Sequence, residues 1–381
     1  MVSTYDHTQF ERHCEPLTAF LQRLRESHER KFDEVLSLAQ LQLDDECRLG
    51  HNGAEFTGRG IAALAHLVDM PPAVVNWLSA RDYDRELSQF VNSELIRLKS
   101  QDAQANRADR RVFARFRGDG QGRLYCRGLF SDRYAAVDSW PLMQMVTDSL
   151  TREEQQSARV HRMSYDGDEL TASLFWPGSE RMVNGEAYRV GVAVQTSEVG
   201  TLRLRVSAWI GRLVCSNGLI VNSDLGEFVS RRHVGRIDMQ ELAQGVRGAV
   251  ACAMEKADRA LVQLDSARNI LVTDADRTIV QLSRELRLTK DQTRAWLDGH
   301  ETTINEPGVR EVSAFSVVNG LTRGAQNHEF EATTRSYMEW LAGRILAPSL
   351  DSSESGMGNW WSELQLRARS LSDEVVAGYR E

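Results

Sequence analysis

The chain has 381 residues, of which 41% are apolar, and a formal net charge of −8 at pH 7. The length allows two or three domains or one composite domain, and no run of about 18 apolar residues occurs, so we expect no membrane span. The five cysteines are scattered without a Cys-x-x-Cys pair, which argues against a disulfide framework and a zinc site.

The order of patterns along the chain predicts an α+β fold with a central, mainly antiparallel sheet between helical N-terminal and C-terminal blocks. Residues 1–105 have helical spacing and no apolar leader, so we expect a cytoplasmic protein without a secretory signal. Residues 106–236 alternate in twos, which predicts a β-rich core. Helical spacing returns over 237–348, and 349–381 is predicted to be a linker followed by one amphipathic helix.

Three stretches of the predicted core have local signals. "RRVFARFRGDGQGRLYCRGLFS" predicts a hairpin that turns at 118–122, and "DSWPLMQMVTDSL" predicts a helix capped by Asp138 or Ser139. In "GRLVCSNGLIV", Asn217-Gly218 is a strong hairpin-turn signal. We therefore interpret Cys215 as a small buried side chain beside a turn and not as a nucleophile.

Positive charge is concentrated in the predicted sheet. Residues 107–133 contain eight arginines and three aspartates, and 201–236 contain six arginines and two acids, so these segments carry +5 and +4 while the whole chain carries −8. Arg111, Arg115 and Arg117 share one parity, which places them on one face of a regular strand. We expect an arginine-bearing sheet face that follows a phosphate backbone, with helices on the other face.

This pattern predicts a non-enzymatic protein that binds single-stranded DNA or RNA and could form a homo-oligomer, without a membrane, cofactor, metal or catalytic residue. Aromatic side chains near the arginines would stack on bases. The residues predicted to contact nucleic acid are Arg111, Arg115, Arg117, Arg123, Arg127, Arg133, Tyr134, Arg203, Arg205, Arg212, Arg231, Arg232 and His233.

Other interpretations of the same residues stay open. The arginines could form a solvated face with cross-strand ion pairs, or they could bind an acidic ligand or protein. The acidic helical regions could bind a host factor. The chain could also be an enzyme that acts on nucleic acid or nucleotides, with a site that gathers Ser131, Asp132, Arg133, Tyr134, Cys215, Asn217 and His233.

Two further motifs are weaker signals. "GIAALAHLVDMPPAVVNWLS" and "TIVQLSRELRLTKDQTRAWLDG" are each compatible with a helix-turn-helix, but such helix pairs also occur in any helical domain. Asp166 with Asp168, and Asp274 with Asp276, could offer carboxylates to a metal. Isolated acids at this spacing are more often helix caps or turn residues, so we predict no metal site.

Three segments together carry a family resemblance. "RGLFSDRYAAVD", "GRLVCSNGLIV" followed by "RRHVG", and "SAFSVVNGLTRGAQ" occur in this order. Over roughly 55–345 the chain resembles the phage- and plasmid-borne proteins grouped as domain of unknown function 932. The resemblance implies a mobile-element origin and a cytoplasmic protein, and it supplies no catalytic residues.

Overall fold

The fold combines helices with mainly antiparallel strands, which confirms the predicted α+β class. The strands are divided between two sheets instead of forming one, and each sheet packs against helices on one face. The computed structural model describes residues 14–81, 83–104, 110–212, 217–220, 227–306, 311–327, 329–346 and 354–380.

The strands are numbered in the order in which they occur along the chain. They are β1 (Cys14–Pro16), β2 (Lys31–Ser37), β3 (Glu55–Phe56), β4 (Arg111–Gly118), β5 (Leu124–Ser131), β6 (Arg159–Tyr165), β7 (Glu169–Val183), β8 (Glu186–Ser197), β9 (Leu204–Arg212), β10 (Asn217–Ile220) and β11 (Glu227–Arg231).

The α-helices are numbered in the same way, and two short 3-10 helices cover Leu38–Gln40 and Ala267–Asn269. They are α1 (Leu17–His28), α2 (Gly58–Leu67), α3 (Pro72–Ser79), α4 (Asp84–Gln104), α5 (Ser139–Asp148), α6 (Arg152–Ser157), α7 (Met239–Ser266), α8 (Ala275–Glu285), α9 (Lys290–Ile304), α10 (Ala314–Gly324), α11 (Ala332–Leu346), α12 (Glu354–Ala368) and α13 (Asp373–Arg380).

The larger sheet has the strand order β1-β6-β7-β8-β9-β10, and β11 also pairs with β9. Its pairings are antiparallel, and β6 to β9 follow one another as a meander. One face of β8 and β9 contributes residues such as Val194 and Val206 to a core that also contains Val246, Ala253 and Ala257 of the long helix α7. The opposite face of these strands is partly open, and α11 lies along it.

The smaller sheet has the order β2-β4-β5-β3 and is antiparallel except for β3, which runs parallel to β5. The predicted β4–β5 hairpin is confirmed, and Gly120 and Gly122 in its turn have the positive φ angles that favour glycine. Val112 and Phe116 point from β4 into a second core, which is completed by side chains of α2 and α4.

Several local predictions differ from the structure. The helical spacing of residues 1–105 predicts helices alone, yet the described part of this segment also contains β1, β2 and β3. The edge strand β2 contains charged residues and lacks the apolar alternation that signals a strand. One of them, Asp33, pairs with Arg115 of the neighbouring strand β4. The single helix predicted at the C-terminus is divided into α12 and α13.

Asn217 and Gly218 do not form the predicted hairpin turn. Both residues lie inside β10, where they pair with Arg212 and Gly211 of β9. The two strands are neighbours, but the connection between them precedes Asn217. Cys215, together with its predicted burial, lies outside the residues that the structure describes.

Candidate functional site

A buried ion network lies between the two sheets, and Arg115 is at its centre. The guanidinium donates to both carboxylate oxygens of Asp33 at 2.9 and 3.2 Å, to Asp138, and to the backbone carbonyl of Glu198 at 2.5 Å. Burial alone would lower the pKa of Arg115, but Asp138 and Asp33 outweigh it and the pKa is raised. The side chain is 1% exposed, so its charge is neutralised inside the protein.

Arg127 lies in the same layer and is also fully buried. Its Nη1 donates to Asp168 and to Glu198, both at 2.9 Å, and to the carbonyl of Gly167. The Glu198 carboxylate also accepts from Lys31 at 2.6 Å. A charge removed from water needs such partners, because an unpaired buried ion costs several kcal/mol.

These contacts correct three of the predicted nucleic-acid contacts. Arg115 and Arg127 are enclosed between the sheets, and Arg212 is enclosed by Glu186 and Glu306 at 2.7 and 3.0 Å. The prediction that Arg111, Arg115 and Arg117 share one face of β4 is confirmed. The residues between them point from the other face into the apolar core of the smaller sheet. The face itself is largely covered, since the carboxylates of the network pack on it.

Four other predicted residues lie apart from one another. Arg123 is exposed beside the β4–β5 turn, and half-buried Arg117 donates to the carbonyl of Asp166 at 3.4 Å. Arg231 is exposed and ion-paired with Glu241. The guanidinium of Arg205 lies 5.1 Å from the ring centroid of Trp340.

The remaining predicted residues converge on one cavity of about 1180 Å³, which we name the arginine cleft. Arg111 begins β4, Arg133 and Tyr134 follow β5, and Arg203 precedes β9. Arg232 and His233 follow β11, and a bridge between Tyr134 and Val234 joins their segment to the end of β5. The cleft therefore combines residues from both sheets. The lining residues that sequence reasoning did not select as sites include Arg59, His66 and Arg110.

The charge of the arginine cleft is only partly neutralised. Arg59 pairs with Asp166 at 2.7 Å and with Glu169 at 3.1 Å, and Arg110 pairs with Asp102 at 3.1 Å. Within the described part of the chain, four lining arginines make no ion pair, and Asp132 is the one carboxylate in the lining. These four are Arg111, Arg133, Arg203 and Arg232.

An aromatic stack borders the cleft. The ring centroids of Phe130 and Tyr134 are 4.1 Å apart, and His233 stacks on the same tyrosine at 5.8 Å. Burial lowers the pKa of His233, although the hydrogen bond between its Nδ1 and the carbonyl of Ala135 opposes this. Burial also raises the pKa of Tyr134, whose hydroxyl donates to the carbonyl of Glu198. Both rings are therefore uncharged at pH 7.

The arginine cleft contains part of the site that the enzyme hypothesis proposes. Ser131, Asp132, Arg133, Tyr134 and His233 all line the cleft. The described residues contain no hydrogen bond between Ser131 and His233: Nδ1 of the imidazole lies 3.1 Å from the carbonyl oxygen of Ala135, and Nε2 has no partner among them. The raised pKa of Tyr134 disfavours a phenolate. Asn217 lies in β10, and Cys215 is outside the described residues. The described geometry thus provides a binding surface more clearly than an activated nucleophile.

The weaker motifs have structural roles. Asp274 caps α8 through the backbone N–H of Arg277, and Asp166 accepts from the backbone N–H groups of Asp168 and Glu169, so the predicted cap and turn roles are confirmed for these two. Asp168 and Asp276 instead form ion pairs, with Arg127 and Arg380. Both helix-turn-helix candidates form helix pairs. In the second pair, α9 packs Trp296 and Leu297 into the core, and in the first pair α3 has no charged residue to contact phosphate.

No helix within the described residues is both long and apolar enough to cross a membrane. Comparison with curated proteins and with solved structures returns no match. A family match covers residues 127–336, which is more than half of the chain and includes Arg133, Tyr134, Arg203, Arg232 and His233 of the cleft. The chain therefore belongs to the family described as domain of unknown function (DUF932).

Proposed function

We propose that this protein binds single-stranded nucleic acid in the arginine cleft. The observation that carries the proposal is the convergence of Arg111, Arg133, Arg203 and Arg232 on one cavity in which they have no ion-pair partner among the described residues. Arginine forks bind phosphate oxygens through two parallel hydrogen bonds. A chain with a net charge of −8 that keeps four such guanidinium groups in one cavity has the charge distribution of an anion-binding site.

A polymer fits this site better than a small anion does. The cavity is about 1180 Å³, larger than an ordinary small-molecule pocket, and its four unpaired arginines come from four separate segments of the chain. Such a spread of positive charge suits successive phosphates along a backbone. Each phosphate contact releases counterions, so affinity should decrease steeply with salt.

Single strands are favoured over duplexes by the aromatic border. Half-buried Phe130 lines the cleft beside the arginines, at the end of the stack that it forms with Tyr134, and only an unpaired base can turn its face toward such a ring. In a duplex the bases are stacked on one another, and the phosphates alone would reach the cleft.

The test is fluorescence anisotropy with labelled single-stranded DNA, single-stranded RNA and duplex DNA, each titrated over a salt series. The proposal expects tight binding of a single-stranded form, with a log–log slope of about −0.7 for each phosphate contacted. Equal affinity for duplex and single strands would remove the stacking argument. No binding to any nucleic acid at low salt would overturn the proposal.

The family resemblance supports a cellular setting for this binding. The resemblance implies a mobile-element origin, and we propose that the setting is DNA replication or recombination, in which a cytoplasmic homo-oligomer anneals complementary strands. Sedimentation of the protein with and without oligonucleotide, followed by a strand-annealing assay, tests it. A monomer that binds single strands without accelerating annealing would contradict the annealing proposal and leave the binding proposal intact.

A further inference from the structure

A second, smaller groove continues from the arginine cleft. Its volume is about 370 Å³, and it shares Thr201, Leu202 and Arg203 with the cleft. Strands β7, β8 and β9 of the larger sheet form one wall, and helix α11 forms the other. The two cavities therefore form one continuous path across the open face of the sheet.

An aromatic pair lies on the α11 wall of the groove. The rings of Tyr337 and Trp340 are stacked, with centroids 5.9 Å apart and planes inclined by 21°. Trp340 is half-buried beneath the guanidinium of Arg205, whereas Tyr337 is 40% exposed. Because Met338, Ala342 and Ile345 make the core contacts of α11, the helix does not need the Tyr337 ring to stay in place.

The lining of the groove suits unpaired bases. It contains Arg203 and Arg205, and no carboxylate occurs among its described residues. Most of the other polar groups are hydroxyls and amides, which hydrogen-bond to base edges and sugars without repelling phosphate. These side chains are Thr171, Ser173, Gln195, Thr201, Ser207, Gln292, Thr333, Thr334 and Ser336.

We propose that a single strand bound in the arginine cleft continues past Arg203 into this groove, where one of its bases stacks on Tyr337. The inference rests on the proposed function, because the cleft must hold the preceding phosphates. It adds the path that the bound strand takes beyond the cleft. It also adds a stacking residue, Tyr337 on helix α11, that the sequence analysis did not assign to a site. A duplex cannot follow this path with its bases paired.

The test is a series of oligothymidylates of about 4, 8, 12 and 16 nucleotides, measured by anisotropy with wild type and with Tyr337→Ala. We expect the longer oligonucleotides to bind the variant about 5- to 150-fold more weakly, which is the effect of losing one base–aromatic stack. The shortest oligonucleotide, held by the cleft alone, should bind both proteins equally. Tyr337→Phe keeps the ring and should restore the affinity for long oligonucleotides.

A second measurement locates the contact directly. An oligonucleotide with 5-iodouracil near one end should photocrosslink to Tyr337 or Trp340 in the wild-type protein. One outcome separates the two proposals. If wild type binds with a steep salt dependence, but Tyr337→Ala binds oligonucleotides of every length as tightly as wild type does and no crosslink forms on α11, the path is wrong and the cleft proposal stands. If wild type binds no oligonucleotide, the proposed function and this inference are both overturned.

Discussion

The guanidinium of Arg127 and the carboxylate of Glu198 lie 2.9 Å apart in the layer between the two sheets, and both side chains are almost completely buried. Glu198 also binds Lys31 of the smaller sheet, while its backbone carbonyl accepts from Arg115. Two arginines that the sequence pattern assigns to a ligand therefore fix the position of one sheet against the other. The arginine cleft lies beside this layer, and its shape depends on it.

Arg127→Met should destabilise the protein strongly. Removal of one partner leaves buried Asp168 and Glu198 with less compensating charge, which typically costs about 3–5 kcal/mol. Urea unfolding measures the change in free energy. The matched control is Arg259→Met, which breaks an exposed ion pair with Glu255 and should cost less than about 1 kcal/mol. Equal effects of the two changes would show that the buried layer does not hold the sheets together.

His233 should make the stability depend on pH. Burial lowers its pKa in the folded protein, so below its ordinary pKa of about 6.5 the unfolded chain binds a proton that the folded chain does not. Stability should therefore increase as pH rises through this window and decrease toward acid. His233→Gln should reduce that slope between about pH 5 and 7, and exposed His66→Gln serves as the control. An unchanged slope in the His233 variant would be inconsistent with a buried, neutral imidazole.

Gly320→Ala should destabilise the contact between α9 and α10. A Cβ on Gly320 would lie 2.6 Å from Cα of His300, so the two helices would have to separate. Overpacking of this kind costs about 1–3 kcal/mol. Gly248→Ala is the matched control, because Gly248 lies in α7 with open space around its Cβ position and should be neutral or slightly stabilising. If the midpoint of urea unfolding were the same for both variants, the close approach of the helices would not be real.

The same glycine explains one of the resemblance segments. Asn319 donates to the hydroxyl of Thr303, and Gly320 allows α9 to approach α10 closely. The Asn-Gly-Leu-Thr stretch therefore has a packing role in this fold. The Ser-Asp-Arg-Tyr stretch and the Arg232-His233-Val234 segment instead line the arginine cleft together, and the bridge between Tyr134 and Val234 joins them.

Arg133→Gln should weaken binding of single strands and flatten its salt dependence. If Arg133 contacts one phosphate, the slope of log affinity against log salt should decrease in magnitude by about 0.7. Arg123→Gln removes the same charge at an exposed position outside the cleft and should leave the slope unchanged. Anisotropy titrations at four or more salt concentrations measure both slopes. A decrease for Arg123→Gln equal to that for Arg133→Gln would mean that binding is not localised in the cleft.

Local patterns in the sequence predicted much of the fold but less of the site. The two-residue alternation along β4 correctly predicts that Arg111, Arg115 and Arg117 lie on one face of the strand. The glycines between β4 and β5 correctly predict the hairpin turn. The same pattern cannot show what covers a face. Arg115 is buried because Asp138 and Glu198 pack on it, and those acids are distant from it in the chain.

The cleft itself depends on contacts between distant segments. Tyr134 and Val234 are joined by a bridge across about a hundred residues, and Arg203 enters from the turn between β8 and β9. Sequence reasoning selected most of the basic residues that line the cleft, because it followed local charge density. It could not select Tyr337, since an aromatic residue on an amphipathic helix is ordinarily part of a core.

The measurement that tests the central claim most directly compares two fourfold variants with the same change in charge. One carries Arg111→Gln, Arg133→Gln, Arg203→Gln and Arg232→Gln in the cleft, and the other carries Arg123→Gln, Arg152→Gln, Arg259→Gln and Arg369→Gln at exposed positions outside it. Circular dichroism should establish that both are folded. We predict that the cleft variant loses more than about a hundredfold in affinity for single-stranded oligonucleotide, because each charge-assisted hydrogen bond contributes about 1.5–3 kcal/mol, while the surface variant stays near wild type. Equal affinity of the two folded variants would contradict the account.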